Sequence, residues 1–254
     1  MGITLGRIWP CRFFQGSIEP APPTAPYWDF HCHLLPGVDD GLRTLDETRM
    51  AIAGLQRLGY RGAVLTPHIY PGVYDNNPEG LRWAFADLQR SLEGGFDLRL
   101  AAEYFADETM LAAIERDDLL YLAIGRKKLV LVEFSTLMPA PFGMDVLIKL
   151  SKAGYQAVLA HVERYRYVQQ APDVWLGKIT QTGAWLQCDI GSLVGQYGPK
   201  PQNIARWLLD HDLPALWGTD LHRVEQLDRY IAPGLVLLAK SGQRINAVLE
   251  ELLA

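Results

Sequence analysis

The chain has 254 residues, 49% of them hydrophobic and 21% charged, with a formal net charge of −5. That describes an ordinary soluble protein with a sizeable core, long enough for one α/β barrel or two smaller domains. The acidic balance speaks against a nucleic-acid-binding face, and no apolar run approaches the roughly 20 residues that span a bilayer.

Residues 1–26 read as an N-terminal extension. Ile8, Trp9, Phe13 and Phe14 are interrupted by Pro10 and Arg12, which is not the unbroken apolar stretch of a signal peptide. The segment Glu19-Pro20-Ala21-Pro22-Pro23-Thr24-Ala25-Pro26 is proline-rich and reads as an extended linker. A single folded domain is expected over 27–254. Strands are predicted near 27–33, 62–68, 97–104, 128–135, 155–161, 184–190 and 214–219. Helices are predicted near 44–58, where Thr44-Leu45-Asp46-Glu47 is a capping box and Gly59 a stop, then near 78–93, 107–118, 142–153, 172–182, 200–211 and 234–252. Seven strand–helix units with nearly continuous apolar strands predict a parallel, buried sheet closed into a barrel.

Five of the six histidines follow such strands: His31 and His33, His68, His161 and His222. Glu103, Glu133 and Asp220 occupy equivalent positions, and Asp39-Asp40 lies in the loop after the first strand. His31 and His33, like Asp220 and His222, are two residues apart, which turns both side chains of a strand pair to one face. A carboxylate that ends an apolar strand is seldom buried without a partner, and a cation is one of the few partners that satisfies it. The set His31, His33, Asp40, His68, Glu103, Glu133, His161, Asp220 and His222 is therefore read as metal-ligating. Imidazole and carboxylate without thiolate suit Mn, Fe, Zn or Co. Arg164, three residues past His161, is a candidate phosphate contact, and a surface ion pair is the alternative for it. His211, at a predicted helix end, reads as structural.

The three cysteines, Cys11, Cys32 and Cys188, form neither a CxxC pair nor a disulfide framework, which fits a reducing, cytoplasmic setting. Six residues beyond them stand Ser17, Val38 and Val194, so no C-x5-R loop exists and cysteine-nucleophile phosphatase chemistry is excluded.

The order H-x-H, L-P-G-x-D-D-G, T-P-H, E, V-E-F-S, H-x-E-R-Y, G-S-L-x-G and D-x-H, running from Trp28 to His222, resembles the polymerase-and-histidinol-phosphatase (PHP) superfamily. More narrowly it resembles the bacterial CpsB/YwqE-type protein-tyrosine phosphatases of capsule and exopolysaccharide loci. The resemblance implies a distorted (β/α)7 barrel and three divalent ions, Mn foremost. It implies one ion on His31, His33, Glu103 and Asp220, a second on Glu103, Glu133 and His161, and a third on Asp40, His68 and His222. Arg164 and Asp40 are then the catalytic side chains, and tyrosine leaves as a phenol.

The implied substrate is a phosphotyrosine protein, the tail of a tyrosine autokinase. A small-molecule PHP phosphoesterase, acting for example on histidinol phosphate, is the alternative enzyme. A non-catalytic PHP module is the alternative from another class, disfavoured because every ligand position is filled. The chain departs from the family pattern in its extension before Tyr27 and in Gly218-Thr219-Asp220-Leu221-His222, where relatives more often have Ser-Asp-Ala-His.

Overall fold

A computed structural model describes residues 27–242 together with Asn246 and Leu249. The extension and linker expected over 1–26, Cys11, and the last helix beyond Gly242 lie outside the described residues. The strands are β1 (Tyr27–Cys32), β2 (Tyr60–Leu65), β3 (His68–Ile69), β4 (Asp97–Leu100), β5 (Glu103–Phe105), β6 (Leu122–Ile124), β7 (Lys127–Glu133), β8 (Gln156–Leu159), β9 (Trp185–Asp189) and β10 (Leu216–Gly218). The helices are α1 (Leu45–Arg57), α2 (Pro78–Ser91), α3 (Glu108–Glu115), α4 (Gly143–Lys152), α5 (Arg166–Gln170), α6 (Pro172–Gln181), α7 (Pro199–Asp210) and α8 (Ala232–Ser241).

The capping box at α1 is formed as expected: the Thr44 side chain accepts from the Glu47 N–H at 3.2 Å, and Glu47 accepts from the Thr44 N–H at 3.1 Å. Two predicted strands are each split in two. Pro67 interrupts the second, because it has no N–H to donate, and Ala101-Ala102 interrupts the third. Pairing nevertheless continues across the breaks. Thr66 N–H donates to Cys32 O, Ala101 N–H to Leu65 O and Glu103 N–H to Pro67 O, at 2.9–3.1 Å.

Strands β1, β2 and β4 pair in parallel, as do β3, β5, β7, β8, β9 and β10 in that order, while β6 is an antiparallel addition to β7. The outer edges then meet. Asp220 N–H donates to His31 O at 2.8 Å and His33 N–H donates to Leu221 O at 3.0 Å. The sheet curls on itself into the distorted barrel expected from the sequence.

Side chains of Trp28, Phe30, Val64, Ala101, Leu129, Leu131, Val158, Ala160 and Leu216 fill the interior. Residues of opposite parity, among them Ala63, Leu65, Val130, Val132, Leu159, Leu186 and Cys188, pack outward against the helices. A shift in the β1–β2 register between Asp29 and Cys32 falls where the β1 alternation switches, since Phe30 belongs to the interior cluster and Cys32 to the outer one. This bulge re-aims His31 and His33 into the barrel mouth. Among the described residues no helix is long and apolar enough to cross a membrane.

Candidate metal centre

Alternation along four of the strand runs carries a polar side chain to the C-terminal mouth. Beyond the interior residues Val64, Ala101, Leu131 and Leu216, the same parity leads to His68, Glu103, Glu133 and Asp220. His161 breaks the rule, because Ala160 already faces inward and the next residue would face out. Its left-handed backbone (φ 32°) turns the imidazole back to the mouth, and Asp220 has φ 48°. Non-glycine residues are held in this region only where surrounding contacts over-determine them. Here the His161 N–H donates to Gln187 Oε1 at 2.8 Å, and the Asp220 N–H is held by His31 O.

All nine side chains singled out in the sequence converge. His31 Nε2 lies 3.2 Å from His33 Nε2, 3.2 Å from Glu103 Oε2 and 3.3 Å from Asp220 Oδ1. His33 Nε2 is 3.4 Å from both of those carboxylate oxygens. His68 Nδ1 is 3.2 Å from Glu103 Oε2 and 3.1 Å from Glu133 Oε1. His161 Nε2 is 2.9 Å from the other Glu103 oxygen and 3.9 Å from Glu133 Oε2. Asp40 Oδ1 stands 3.4 Å from His222 Nε2 and 3.5 Å from His68 Nε2. His211 is apart from the cluster, its ring tilted against that of Trp207 and its Nδ1 2.8 Å from the Trp207 carbonyl.

The donor atoms fall into three groups able to surround a cation: His31, His33 and Asp220; His68, Glu103 and Glu133; and His33, Asp40, His68 and His222. These differ from the sets implied by the family resemblance: Glu103 is absent from the first, His68 rather than His161 joins Glu103 and Glu133 in the second, and His33 is added to the third. Glu103 is central to either arrangement, with one oxygen toward His31, His33 and His68 and the other toward His161.

The chemistry of the donors fits metal ions. Ligands held about 2.1 Å from one ion lie roughly 3.0–3.4 Å apart, which is the spacing around His31. Three imidazoles also have their other nitrogen engaged. His31 Nδ1 faces Gln187 Oε1 at 3.1 Å, His33 Nδ1 faces Asp39 Oδ2 at 2.7 Å, and His222 Nδ1 faces the Asp220 carbonyl at 2.9 Å. Each Nδ1 donates to an oxygen, so Nε2 is the nitrogen that each ring turns toward the cluster. His68 Nδ1 is buried among carboxylates without a well-formed hydrogen bond.

Imidazole and carboxylate charges shift one another within the cluster. Burial opposes charge on His31, but Glu103 and Asp220 outweigh it and push the imidazole up to about 10. Burial also opposes charge on His33, and Asp39 with the other carboxylates holds its pKa well above the usual range. Glu103 and Asp220 are driven down despite burial, the first chiefly by His31 and His68, the second by His222 and His31.

Arg164 sits in a short 3-10 turn, Val162–Arg164, directly after His161. Its Nη1 donates to Asp220 Oδ2 at 2.7 Å and lies 3.6 Å from Asp189 Oδ2.

Sequence reasoning did not identify the orienting residues around the cluster. Gln187 ties His31 to His161 and donates to Asp189 at 2.9 Å. Asp29 accepts from Thr219 and His31, and burial lifts it to about 6 against those hydrogen bonds. Burial, with Glu163 and Asp220 beside it, pushes the Asp189 carboxyl well above the normal range. One signal was available. Gln187 and Asp189 are two polar residues at i, i+2 in an otherwise apolar strand, the same pattern that flags His31 and His33.

Architecture and site together define a class: a distorted α/β barrel with a histidine–carboxylate centre at its mouth. The model of the family described as "Capsular polysaccharide synthesis, CpsB/CapC" matches residues 27–246, and the chain belongs to that family. The tyrosine-protein phosphatase YwqE of Bacillus subtilis (strain 168) is 30% identical over 227 residues, covering 88% of each chain. A solved structure described as YwqE from Bacillus subtilis and CpsB from Streptococcus pneumoniae, "unique metal-dependent tyrosine phosphatases", superposes with a TM-score of 0.76. It is 27% identical, covering 89% of this chain and 92% of that one. Histidinol phosphate phosphatase of Lactococcus lactis, solved with zinc, L-histidinol and phosphate, shares the fold at a TM-score of 0.56 and 14% identity, covering 87% of this chain and 96% of that one.

Proposed function

We propose that this chain is a metal-dependent protein-tyrosine phosphatase of capsule or exopolysaccharide synthesis, acting in the cytoplasm on the phosphotyrosine tail of a tyrosine autokinase. The catalytic unit is the domain from residue 27 to 254. The observation that carries the reading is the convergence of nine imidazole and carboxylate side chains at one barrel mouth, beside an arginine. The named relatives are tyrosine phosphatases, which favours phosphotyrosine over a small phosphomonoester.

His31, His33 and Asp220 would hold one divalent ion, with Glu103 shared between this and a second held with Glu133 and His68 or His161. Asp40, His68 and His222 would hold a third, and manganese is the ion we favour. Bound divalent ions supply Lewis acidity that polarises phosphoryl oxygens and acidifies water at neutral pH.

The chain's own residues do the rest. Arg164 has one nitrogen committed to Asp220, and the side chain remains 26% exposed. Its planar fork keeps further N–H groups for phosphoryl oxygens. Asp40 is the most open carboxylate of the cluster at 48% exposed. A hydrogen bond from His222 and the charges of His222 and His68 hold its pKa below normal, so at neutral pH it is ionised. Gln187 and Asp39 fix the imidazoles of His31 and His33. A phenol leaving group, with a pKa near 10 in water, departs without a strong acid.

Steady-state rates on a phosphotyrosine peptide, a phosphoserine peptide and histidinol phosphate, with Mn, test the reading. Phosphotyrosine is expected to give the highest kcat/KM. A large advantage for histidinol phosphate would move the assignment to a small-molecule phosphoesterase.

A further inference from the structure

Tyr197 belongs to none of the ligand groups, yet it touches both the arginine and a carboxylate of the centre. It lies in the loop between the short helical turn Ile190–Val194 and α7, far in sequence from Arg164. The Arg164 guanidinium carbon is 4.3 Å from the centroid of its ring, a cation–π distance. Its hydroxyl donates to Asp220 Oδ2 at 2.9 Å, the same oxygen that accepts from Arg164 Nη1 at 2.7 Å. Asp220 thus divides its two oxygens, Oδ1 toward His31 and His33, Oδ2 toward Arg164 and Tyr197.

An arginine side chain has several rotatable bonds and ordinarily loses rotamer freedom when it grips a ligand. Here one face of the guanidinium rests on an aromatic ring, and one edge is tied to a carboxylate that the same residue's hydroxyl steadies. The remaining N–H groups are held in place before any phosphate arrives.

We propose that Tyr197 is a positioning residue for Arg164, fixing the guanidinium for a phosphoryl group. This rests on the reading of Arg164 as a phosphate contact.

The test measures inorganic phosphate affinity of the metal-loaded protein by calorimetry, and bound metal by elemental analysis, in Tyr197→Leu, Arg164→Ala and the double variant. Tyr197→Leu is expected to weaken phosphate about tenfold at unchanged metal content, as loss of one hydrogen bond and one cation–π contact implies. In the Arg164→Ala background the same change should have no further effect. Undiminished phosphate affinity in Tyr197→Leu, equal weakening in both backgrounds, or loss of metal would each overturn the proposal.

Should the leucine variant fail to fold, Tyr197→Phe keeps the ring and drops only the hydroxyl. It is expected to weaken phosphate about threefold, again only with Arg164 present, and full affinity in it would overturn the role of the hydroxyl. Phosphate binding without phosphotyrosine turnover in the unmodified protein would strike the proposed function while leaving this comparison readable.

Discussion

Among single residues, some side chains hold charge and others aim it. Glu103 sends one oxygen toward His31, His33 and His68 and the other toward His161, so its loss should empty the centre. Glu103→Ala and His33→Ala are expected to lose bound metal and turnover together, with turnover down by at least about a thousandfold, judged by elemental analysis beside phosphotyrosine peptide assays. Arg164→Ala should retain the full metal content and lose phosphate affinity. Metal retained at wild-type level in Glu103→Ala would contradict its central place. His211, packed against Trp207 outside the cluster, should tolerate alanine with little effect on either measurement.

At the scale of elements, the strands are what made the site legible. Their apolar runs and the polar residues ending them could be read directly, because inward parity inside a barrel carries the last side chains of a strand to the mouth. What could not be read is where that parity is broken. The β1 bulge and the left-handed turn at His161 depend on contacts with β2, Gln187 and Leu221, which are remote in sequence. Short elements escaped as well. The β6 strand, α5 and the turn carrying Arg164 are too brief to show a period. The linkage of Asp220 to Tyr197 joins two loops and leaves no local trace.

Close packing of β1, β9 and β10 is a further consequence at this scale. A Cβ on Gly218 would stand 2.7 Å from the Gln187 side-chain nitrogen and 2.7 Å from His31 Cβ. Gly218→Ala should therefore leave a folded protein whose His31 is displaced, with metal affinity down by about tenfold or more. Calorimetric titration with manganese measures this, and unchanged affinity would show that the strands can spread at no cost.

Taken as a whole molecule, the barrel concentrates buried imidazoles and carboxylates that need a cation or protons to coexist. Burial opposes charge on His31, but Glu103 and Asp220 push its pKa up to about 10 from an ordinary 6.5. A pKa raised in the folded state contributes stability that is complete below about 6.5 and lost as pH climbs through about 10. A divalent ion must displace the imidazolium proton, so loading should release protons and strengthen as pH rises from 6 to 8. Titrations in buffers of different ionisation enthalpy read the released protons, and metal binding with no proton release would contradict a protonated cluster.

The central claim is that the histidine–carboxylate cluster hydrolyses phosphotyrosine through the cations it holds. Chelator-treated protein, assayed on a phosphotyrosine peptide before and after manganese is returned, tests this most directly. The account predicts negligible turnover in the stripped protein and recovery in step with manganese bound, up to three ions per chain. Full turnover in protein shown by elemental analysis to be metal-free would contradict it.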